Sequence, residues 1–401
     1  MGTELAAPAG LEMTEPRPTS TALNVEIIES LDGLAALTAE YDRLLHMVDR
    51  KLPFCLHDWH VTWCNHLLMI SGAVRDELRI FIVRDTAATC VAIVPMVLTR
   101  RTLLGMSVAS LGLLGRDPAL TEIREPLIEP GYESQVALAM LRTLADLKGW
   151  DWIEWSGGGG AFDRTLAANV DLQHLEPLPD FILDLPSSWD ELRGRLKRNI
   201  RESVRHCYNS LKRDGLEYQF RVVAEPNEVP AALDRFLVLH ANRAARTDTV
   251  PHPNFFGTER SRAFLREVCG RLARRRNLRI FQLIIGGEVV ASRIGFIIDD
   301  SLYFYYSGFD SAWARYSVMT TTVVEAIKYA IAQRLRSVNL SPGRDISKLR
   351  WSPREVGIRR ARQVAKRWRS RLAHACYRRA KANALPVFLK PLFASAKRGW
   401  D

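Results

Sequence analysis

One four-residue segment occurs twice in the chain, and each copy opens a stretch of the same form. Leu-Arg-Ile-Phe stands at 78–81 and again at 278–281. After each copy an apolar run ends at turn-forming residues, at 85–89 or at Gly286 and Gly287, and a second apolar run follows. This pattern predicts a β-hairpin in each half of the chain.

The correspondence continues beyond the hairpins. A helix-like stretch, a short strand and a glycine-bearing loop follow at 139–160 and again at 324–343. The ordered match predicts one module used twice, with an α+β fold in which a mixed, mainly antiparallel sheet is flanked by helices. At 401 residues the chain is long enough for two such cores. The expected divisions are a disordered leader at 1–23, domains at 24–180 and 181–355, the second being catalytic, and a basic amphipathic tail at 356–401.

The net charge of +11 is concentrated at the C-terminal end. Residues 356–401 contain 13 Lys or Arg and one acid, whereas residues 1–355 contain 43 bases and 44 acids. The tail places aromatic and aliphatic residues between its bases, which suits a helix on an anionic membrane surface. RNA or DNA is an alternative partner, and a solvated terminal helix is a third interpretation.

Cysteine usage and the N-terminal end indicate the compartment. The six cysteines have no paired spacing, and most lie in apolar runs, which indicates a reducing environment. The first 22 residues lack the basic start and apolar stretch of a secretion signal. No apolar run reaches the roughly 20 residues needed to span a bilayer. We therefore expect a cytoplasmic protein, with a peripheral position at the inner face of the membrane as a further hypothesis.

A strongly basic helix is predicted at 189–213, capped by Ser187 or Ser188. Apolar residues recur on one face at helical spacing, and Arg or Lys residues occupy most of the remainder. The basic side is either a solvated surface or a site for a polyanion such as pyrophosphate, a nucleotide-sugar or tRNA.

Two further motifs are interpreted as structural. The glycines at 157–160 lack the fingerprint spacing and the following helix of a phosphate-binding loop, so we expect a flexible connection. A cysteine- and histidine-rich stretch has no common zinc-ligand spacing, and no metal is predicted there. Its members are Cys55, His57, His60, Cys64 and His66.

The order of elements, with Phe309–Tyr316 after a tyrosine-rich strand and Lys348–Trp351 near the end, resembles the GNAT acyltransferase superfamily. More narrowly, it is similar to the cellulose-biosynthesis acetyltransferase group (CelD/BcsL-like), a relative of the Fem peptidoglycan aminoacyltransferases. The resemblance covers roughly residues 25–355. It implies a tandem GNAT fold. It also implies acyl-CoA as co-substrate, with acetyl-CoA as the preferred acyl-CoA.

In such folds the CoA pyrophosphate lies at the start of the helix after the central hairpin and strand, where amides and the helix dipole favour an anion. The corresponding residues here are Tyr316, Ser317, Val318, Met319, Thr320 and Thr321. The related group usually has Pro-Gly where this chain has Val318 and Met319. The threonine hydroxyls are expected to serve as donors or caps instead.

The resemblance also indicates catalytic candidates. Lys348 resembles a lysine that Fem-type enzymes place near the reacting carbonyl, where a cation stabilises the developing oxyanion. Tyr305, Tyr306 and Asp310 are further candidates for proton transfer. Strand alternation predicts that only one of the two tyrosines faces a given side.

Candidates for binding the acceptor lie on two other elements. Arg293 is on the second hairpin, and His240 and Arg243 lie near the end of a helix in the second module. For each, packing or a solvent-facing helix end is the alternative interpretation.

Three functional hypotheses follow. The first is an acyl-CoA-dependent N- or O-acyltransferase acting on a sugar, a glycan or an envelope-related acceptor, as in exopolysaccharide biosynthesis. The second retains the enzyme class with aminoacyl-tRNA as donor, as the Fem resemblance implies. The third is a degenerate fold that serves as a membrane-associated adaptor.

Overall fold

The computed structural model describes residues 22–103, 106–117, 119–246 and 252–384, so most of the predicted leader lies outside the described residues. The first half begins with a strand and three helices, followed by the long hairpin. Its elements are β1 (Asn24–Ile28), α1 (Leu31–Ala35), α2 (Thr38–Met47), a 3₁₀ turn (Pro53–Cys55), α3 (His57–Leu67), β2 (Val74–Arg84), β3 (Cys90–Leu103), β4 (Met106–Leu113), β5 (Leu127–Ile128), α4 (Glu133–Asp146), β6 (Trp152–Ser156), α5 (Gly159–Asn169) and β7 (Gln173–Asp184).

The second half repeats this order after two connecting helices. Its elements are α6 (Trp189–Arg195), α7 (Arg198–Arg213), β8 (Tyr218–Val223), α8 (Val229–Ala244), α9 (Glu259–Arg274), β9 (Leu278–Ile285), β10 (Glu288–Ile298), β11 (Ser301–Phe309), a 3₁₀ helix (Ser311–Tyr316), α10 (Val318–Ala332), β12 (Ser337–Pro342), α11 (Ile346–Leu349), β13 (Arg354–Val364) and α12 (Trp368–Ala384). Among the described helices, none has the length and apolarity needed to cross a membrane.

The described strands form one sheet whose two halves have matching order. From one edge inward the strand order is β1-β2-β3-β4-β6, and from the other edge inward it is β8-β9-β10-β11-β12. β13 and β7 lie at the centre, and β5 pairs with β3. Phe81 on β2 pairs with residues of β1 and β3, and Phe281 on β9 pairs with residues of β8 and β10. The two copies of the repeated segment therefore occupy equivalent places, which confirms the predicted duplication.

The halves exchange their last strands. β7 follows the helices of the first half but pairs with β12 and β13, and β13 pairs with β6 of the first half. The boundaries predicted at 180/181 and 355/356 therefore fall inside strands. Periodicity within a strand does not reveal which distant strand it joins.

The exchange also changes the extent of the basic tail. Several bases assigned to the tail lie on β13: Arg360 donates to the Glu176 carbonyl oxygen at 2.7 Å, and Arg362 pairs with Glu154 at 3.2 Å. The helical part of the tail begins only at Trp368.

The predicted basic helix is two helices. Ser188 caps α6 by accepting from the Glu191 amide at 3.2 Å, and extended backbone at Leu196 and Lys197 separates α6 from α7. The predicted apolar face is buried as expected, while the bases of α7 remain exposed.

Gly308 on β11 lies directly against the backbone of α8. A Cβ atom there would lie 2.3 Å from the His240 nitrogen and 2.4 Å from the Leu239 carbonyl carbon. We expect Gly308→Ala to lower the free energy of unfolding by about 3 kcal/mol, because two backbones must separate. Gly194→Ala in α6 is the control. A Cβ at 194 has no neighbour within 4 Å, so Gly194→Ala should raise the free energy of unfolding by about 0.5–1 kcal/mol. Urea unfolding compares the two, and equal midpoints would contradict this packing.

Candidate active site

The parallel strands β11 and β12 separate in the second half and leave a cavity between them. They pair at Ser301–Tyr303 and Ser337–Asn339, and each then continues without the other. The cavity has a volume of about 250 Å³. Its walls include Phe304, Phe309 and Leu340 from the strands, Met319 and Thr320 from α10, and Ser307.

Four cationic side chains line this cavity: Arg243, Arg293, Lys348 and Arg350. Both Arg243 and Arg293 donate to the Ser307 hydroxyl, at 2.7 and 3.3 Å. Burial and the adjacent charge of Arg243 lower the pKa of Arg293 to about 10. None of the described residues lining the cavity is acidic. Four cations around a partly buried cavity that has no acidic lining residue favour an anionic ligand.

Lys348 is held at the end of β12. Its short helix α11 is capped by Asp345, which accepts from the Ser347 amide at 2.7 Å. The Lys348 ammonium donates to the carbonyl oxygens of Pro342 at 2.6 Å and Ser341 at 3.3 Å. An ammonium has three protons, so one donor remains for a ligand. Burial lowers the pKa of Lys348 from its ordinary value.

The start of α10 offers free amides beside the cavity. Ser317 adopts a left-handed conformation (φ 52°), and its carbonyl accepts from the amides of Thr320 and Thr321. Within the described part of the chain, the amides of Val318 and Met319 donate to no acceptor. Arg350 donates to the Thr320 hydroxyl at 3.0 Å. A helix start with two open amides and a guanidinium is suited to a phosphate group.

Three of the six residues expected to bind the cofactor place their side chains in the protein interior instead. The hydroxyl of Tyr316 donates to Asp214 at 2.8 Å, and its ring packs in an apolar cluster. The Val318 side chain packs in the same cluster, and Thr321 is fully buried. Met319 and Thr320 line the cavity, whereas Ser317 and Val318 precede them at the start of α10 without lining it.

Tyr305 and Tyr306 lie on the same side of the sheet, so the predicted alternation is wrong at this point. The β10–β11 register shifts between Arg293 and Gly295, which places the two tyrosines opposite one residue. Their ring centroids are 4.5 Å apart, and both rings pack against the same core cluster. A β-bulge of this kind inserts one residue and breaks the period of two.

The other candidates support the site from outside the cavity. His240 is buried and donates through Nδ1 to the Ser307 carbonyl oxygen at 3.1 Å, and burial lowers its pKa. Asp310 caps the 3₁₀ helix by accepting from the Ala312 amide at 3.0 Å. Of the predicted catalytic and acceptor residues, Lys348, Arg293 and Arg243 are brought together at the cavity. Sequence reasoning assigned no role to Arg350 or Ser307, although Arg350 lies within the segment that carried the resemblance.

The glycine run lines a different cavity, of about 390 Å³, in the first half. Contrary to expectation, a helix follows it directly: Gly158 has φ 97° and α5 begins at Gly159. The polar lining consists of Asp49, Arg50, Glu125, Glu133, Asp163 and Arg359. Because carboxylates outnumber guanidiniums, this cavity is poorly suited to a second polyphosphate.

The cysteine- and histidine-rich stretch forms α3 and its approach. His57 contacts the Leu34 carbonyl oxygen at 2.9 Å, and His60 contacts the Tyr41 hydroxyl at 3.0 Å. Burial lowers the pKa of His60 to about 3, which favours the neutral ring. No cluster of three or more potential ligands is present in the described residues.

Part of the second half matches a known domain family, and most of the chain superposes on known structures. Residues 198–348 match the model of the acetyltransferase (GNAT) domain. The structure of FemX superposes with a TM-score of 0.55 at 9% identity, covering 82% of this chain and 96% of FemX. The C-terminal domain of a putative lysylphosphatidylglycerol synthetase from Agrobacterium fabrum gives a TM-score of 0.51 at 12% identity, covering 89% and 97%.

A conserved protein of unknown function from Bacteroides thetaiotaomicron also gives a TM-score of 0.51, at 13% identity, covering 85% of this chain and all of that one. At these identities the three structures establish a shared fold. No curated protein matches the chain. The predicted fold class is confirmed. Residues 198–348 are therefore similar to the GNAT acetyltransferase domain, and this similarity supports an acyltransferase activity.

Proposed function

We propose that the protein transfers an acyl group from acyl-CoA, with acetyl-CoA as the first donor to test, to an amine or hydroxyl of a sugar or envelope glycan. This would place it in the cellulose-biosynthesis acetyltransferase group (CelD/BcsL-like). The observation that carries the donor assignment is the cationic cavity between β11 and β12, which opens beside the free amides of α10. The acceptor assignment rests on the resemblance alone.

The donor would bind along the start of α10. The CoA pyrophosphate accepts from the amides of Val318 and Met319 and from Arg350, and the pantetheine arm enters between β11 and β12. A volume of about 250 Å³ suits the thioester end of the arm, with the nucleotide remaining outside. The apolar strand side chains exclude water around the thioester.

In the proposed reaction Lys348 donates to the thioester oxygen. The acceptor nitrogen or oxygen attacks the carbonyl carbon, and negative charge develops on that oxygen. Collapse of the intermediate breaks the C–S bond and releases the CoA thiolate, which takes up a proton. A fixed ammonium stabilises the charge because its donor needs no reorganisation during the reaction.

Thermal unfolding with acetyl-CoA tests the donor assignment. A ligand that binds the folded chain raises the midpoint temperature of unfolding. At a ligand concentration of 100 times the Kd, the free energy of unfolding increases by about 2.7 kcal/mol. No shift at millimolar acetyl-CoA would argue against the proposal.

Aminoacyl-tRNA is the second candidate donor, supported by the exposed bases Arg201, Arg205 and Lys212 on α7. Labelled product from charged tRNA but not from acetyl-CoA, with binding that weakens steeply in salt, would favour it.

Helix α12 supports a peripheral membrane position. Trp368 is 78% exposed and Leu372, one turn later, 46% exposed, with Arg369 and Arg371 exposed beside them. We expect the full chain to sediment with vesicles containing anionic phosphatidylserine. Replacing both Trp368 and Leu372 with Ala should lower the partition coefficient about tenfold or more, because two large apolar groups no longer enter the interface. Equal binding of both forms would contradict this role for α12.

A further inference from the structure

A segment of the first half reaches the active site of the second half through three tyrosines. Tyr303, Tyr305 and Tyr306 of β11 each donate a phenolic hydrogen bond to residues 119–122. Tyr305 and Tyr306 donate to the carbonyl oxygens of Leu120 (2.6 Å) and Ala119 (3.0 Å). Tyr303 donates to the Glu122 carboxylate at 2.7 Å. The strand that forms one wall of the cavity thus also fixes an acidic side chain from the other half.

Glu122 lies within electrostatic reach of two cations that line the cavity. Burial raises its pKa to about 7, while Lys348 and the hydrogen bond from Tyr303 counteract part of that rise. Arg293 lowers the pKa of Glu122 as Lys348 does, whereas the nearby Asp180 carboxylate adds to the rise. A carboxylate that is half ionised near neutral pH both accepts and releases protons efficiently.

One carboxylate oxygen of Glu122 is available for chemistry. Oε2 accepts from Tyr303, whereas Oε1 has no hydrogen-bond partner among the described residues. The residue is partly exposed and Oε1 is not fully buried, although burial of the carboxyl group is deep enough to raise its pKa. Asp180, by comparison, is fully buried, and its Oδ2 accepts from both Arg50 and Asn339.

We propose that Glu122 is the general base of the second-half active site, so that the first half completes the catalytic machinery. The inference rests on the proposed acyl transfer. As the acceptor nitrogen or oxygen bonds to the thioester carbonyl carbon, its proton passes to Glu122 Oε1. The protonated Glu122 then gives that proton to the departing CoA thiolate as the C–S bond breaks. Tyr303 is a positioning residue that holds the carboxylate.

The test is Glu122→Gln in the full chain, with thiol release from acetyl-CoA followed against pH and glucosamine as the acceptor probe. We expect kcat to fall by about 10²–10⁴-fold, with acetyl-CoA affinity by calorimetry changed less than about threefold. In the wild type the rate should rise with pH through about 7, because the base must be deprotonated. This rising limb of the pH–rate profile should be absent in Glu122→Gln. If glucosamine is not acylated, hydrolysis of bound acetyl-CoA provides the same comparison, with water as the nucleophile.

Two tyrosine variants separate chemistry from structure. Tyr303→Phe removes the hydrogen bond that favours the carboxylate form, so the limb should move to higher pH. Tyr305→Phe is the matched control, because its hydroxyl bonds a backbone carbonyl, and its limb should stay in place.

The protonation state also has a readout that does not depend on activity. Difference infrared spectra should show a carboxylic acid band that titrates near pH 7 in the wild type and is missing in Glu122→Gln, while the bands of Asp163 and Glu125, whose pKa values burial also raises, remain in both. Its absence near pH 7, or a Glu122→Gln rate within about twofold of wild type, would overturn the assignment. Failure of wild type to bind acetyl-CoA would instead reject the proposed function, which keeps the two outcomes distinct.

Discussion

Lys348→Met should lower kcat for acyl transfer by about 10²–10³-fold, the effect of removing a preorganised donor to an oxyanion. The ammonium is fixed by the carbonyl oxygens of Pro342 and Ser341 at 2.6 and 3.3 Å, which leaves one proton directed elsewhere. Methionine approximates the length of the side chain and removes its charge. Acetyl-CoA affinity should change little, because the proposed pyrophosphate contacts are at the start of α10. Initial rates and calorimetry measure the two quantities separately.

A matched variant tests whether the loss is specific to this lysine. Lys212 on α7 is exposed and lies outside the cavity, so Lys212→Met should keep the wild-type rate. Loss of Lys348 also removes a cation that lowers the pKa of Glu122, so any residual activity should rise with pH at a higher value than in wild type. A Lys348→Met enzyme within threefold of wild type would exclude the oxyanion role.

The sequence predicted best those features that depend on the order of neighbouring helices and strands and on short residue spacings. The repeated hairpin located equivalent strands, since Phe81 and Phe281 occupy matching places in the sheet. The expected anion site at the start of α10 was predicted from the position of this helix after β11. The segment 348–351, on which the resemblance was partly based, contains both Lys348 and Arg350. These features depend on element order and short spacing, which a single sequence displays directly.

Long-range pairing was not visible in the sequence. The exchange of β7 and β13 depends on which distant strand each one meets, and neither strand carries that information in its own periodicity. The bulge at Tyr305 and Tyr306 overrides strand alternation. Glu122 lies in an irregular, proline-containing segment, and its position is set by a hydrogen bond from a residue 181 positions later.

Arg350→Met should weaken acetyl-CoA binding by about 10- to 100-fold, the range expected when a charge-assisted hydrogen bond to a phosphate is lost. Arg350 already donates to Thr320 at the start of α10, so its guanidinium is held beside the open amides of Val318 and Met319. The wild-type affinity should also fall as salt rises, and the variant should lose part of that dependence. Calorimetry at two ionic strengths measures both effects.

A donor without the pyrophosphate tests the assigned contact directly. S-acetylpantetheine has the thioester arm but no diphosphate, so wild type and Arg350→Met should bind it with equal, weak affinity. Arg344→Gln is the control, because this arginine is exposed and pairs with Glu355 at 2.6 Å outside the cavity. If Arg350→Met weakened both ligands equally, Arg350 would be shaping the cleft and the pyrophosphate would lie elsewhere. If it weakened neither, acetyl-CoA would not bind along α10 through this arginine.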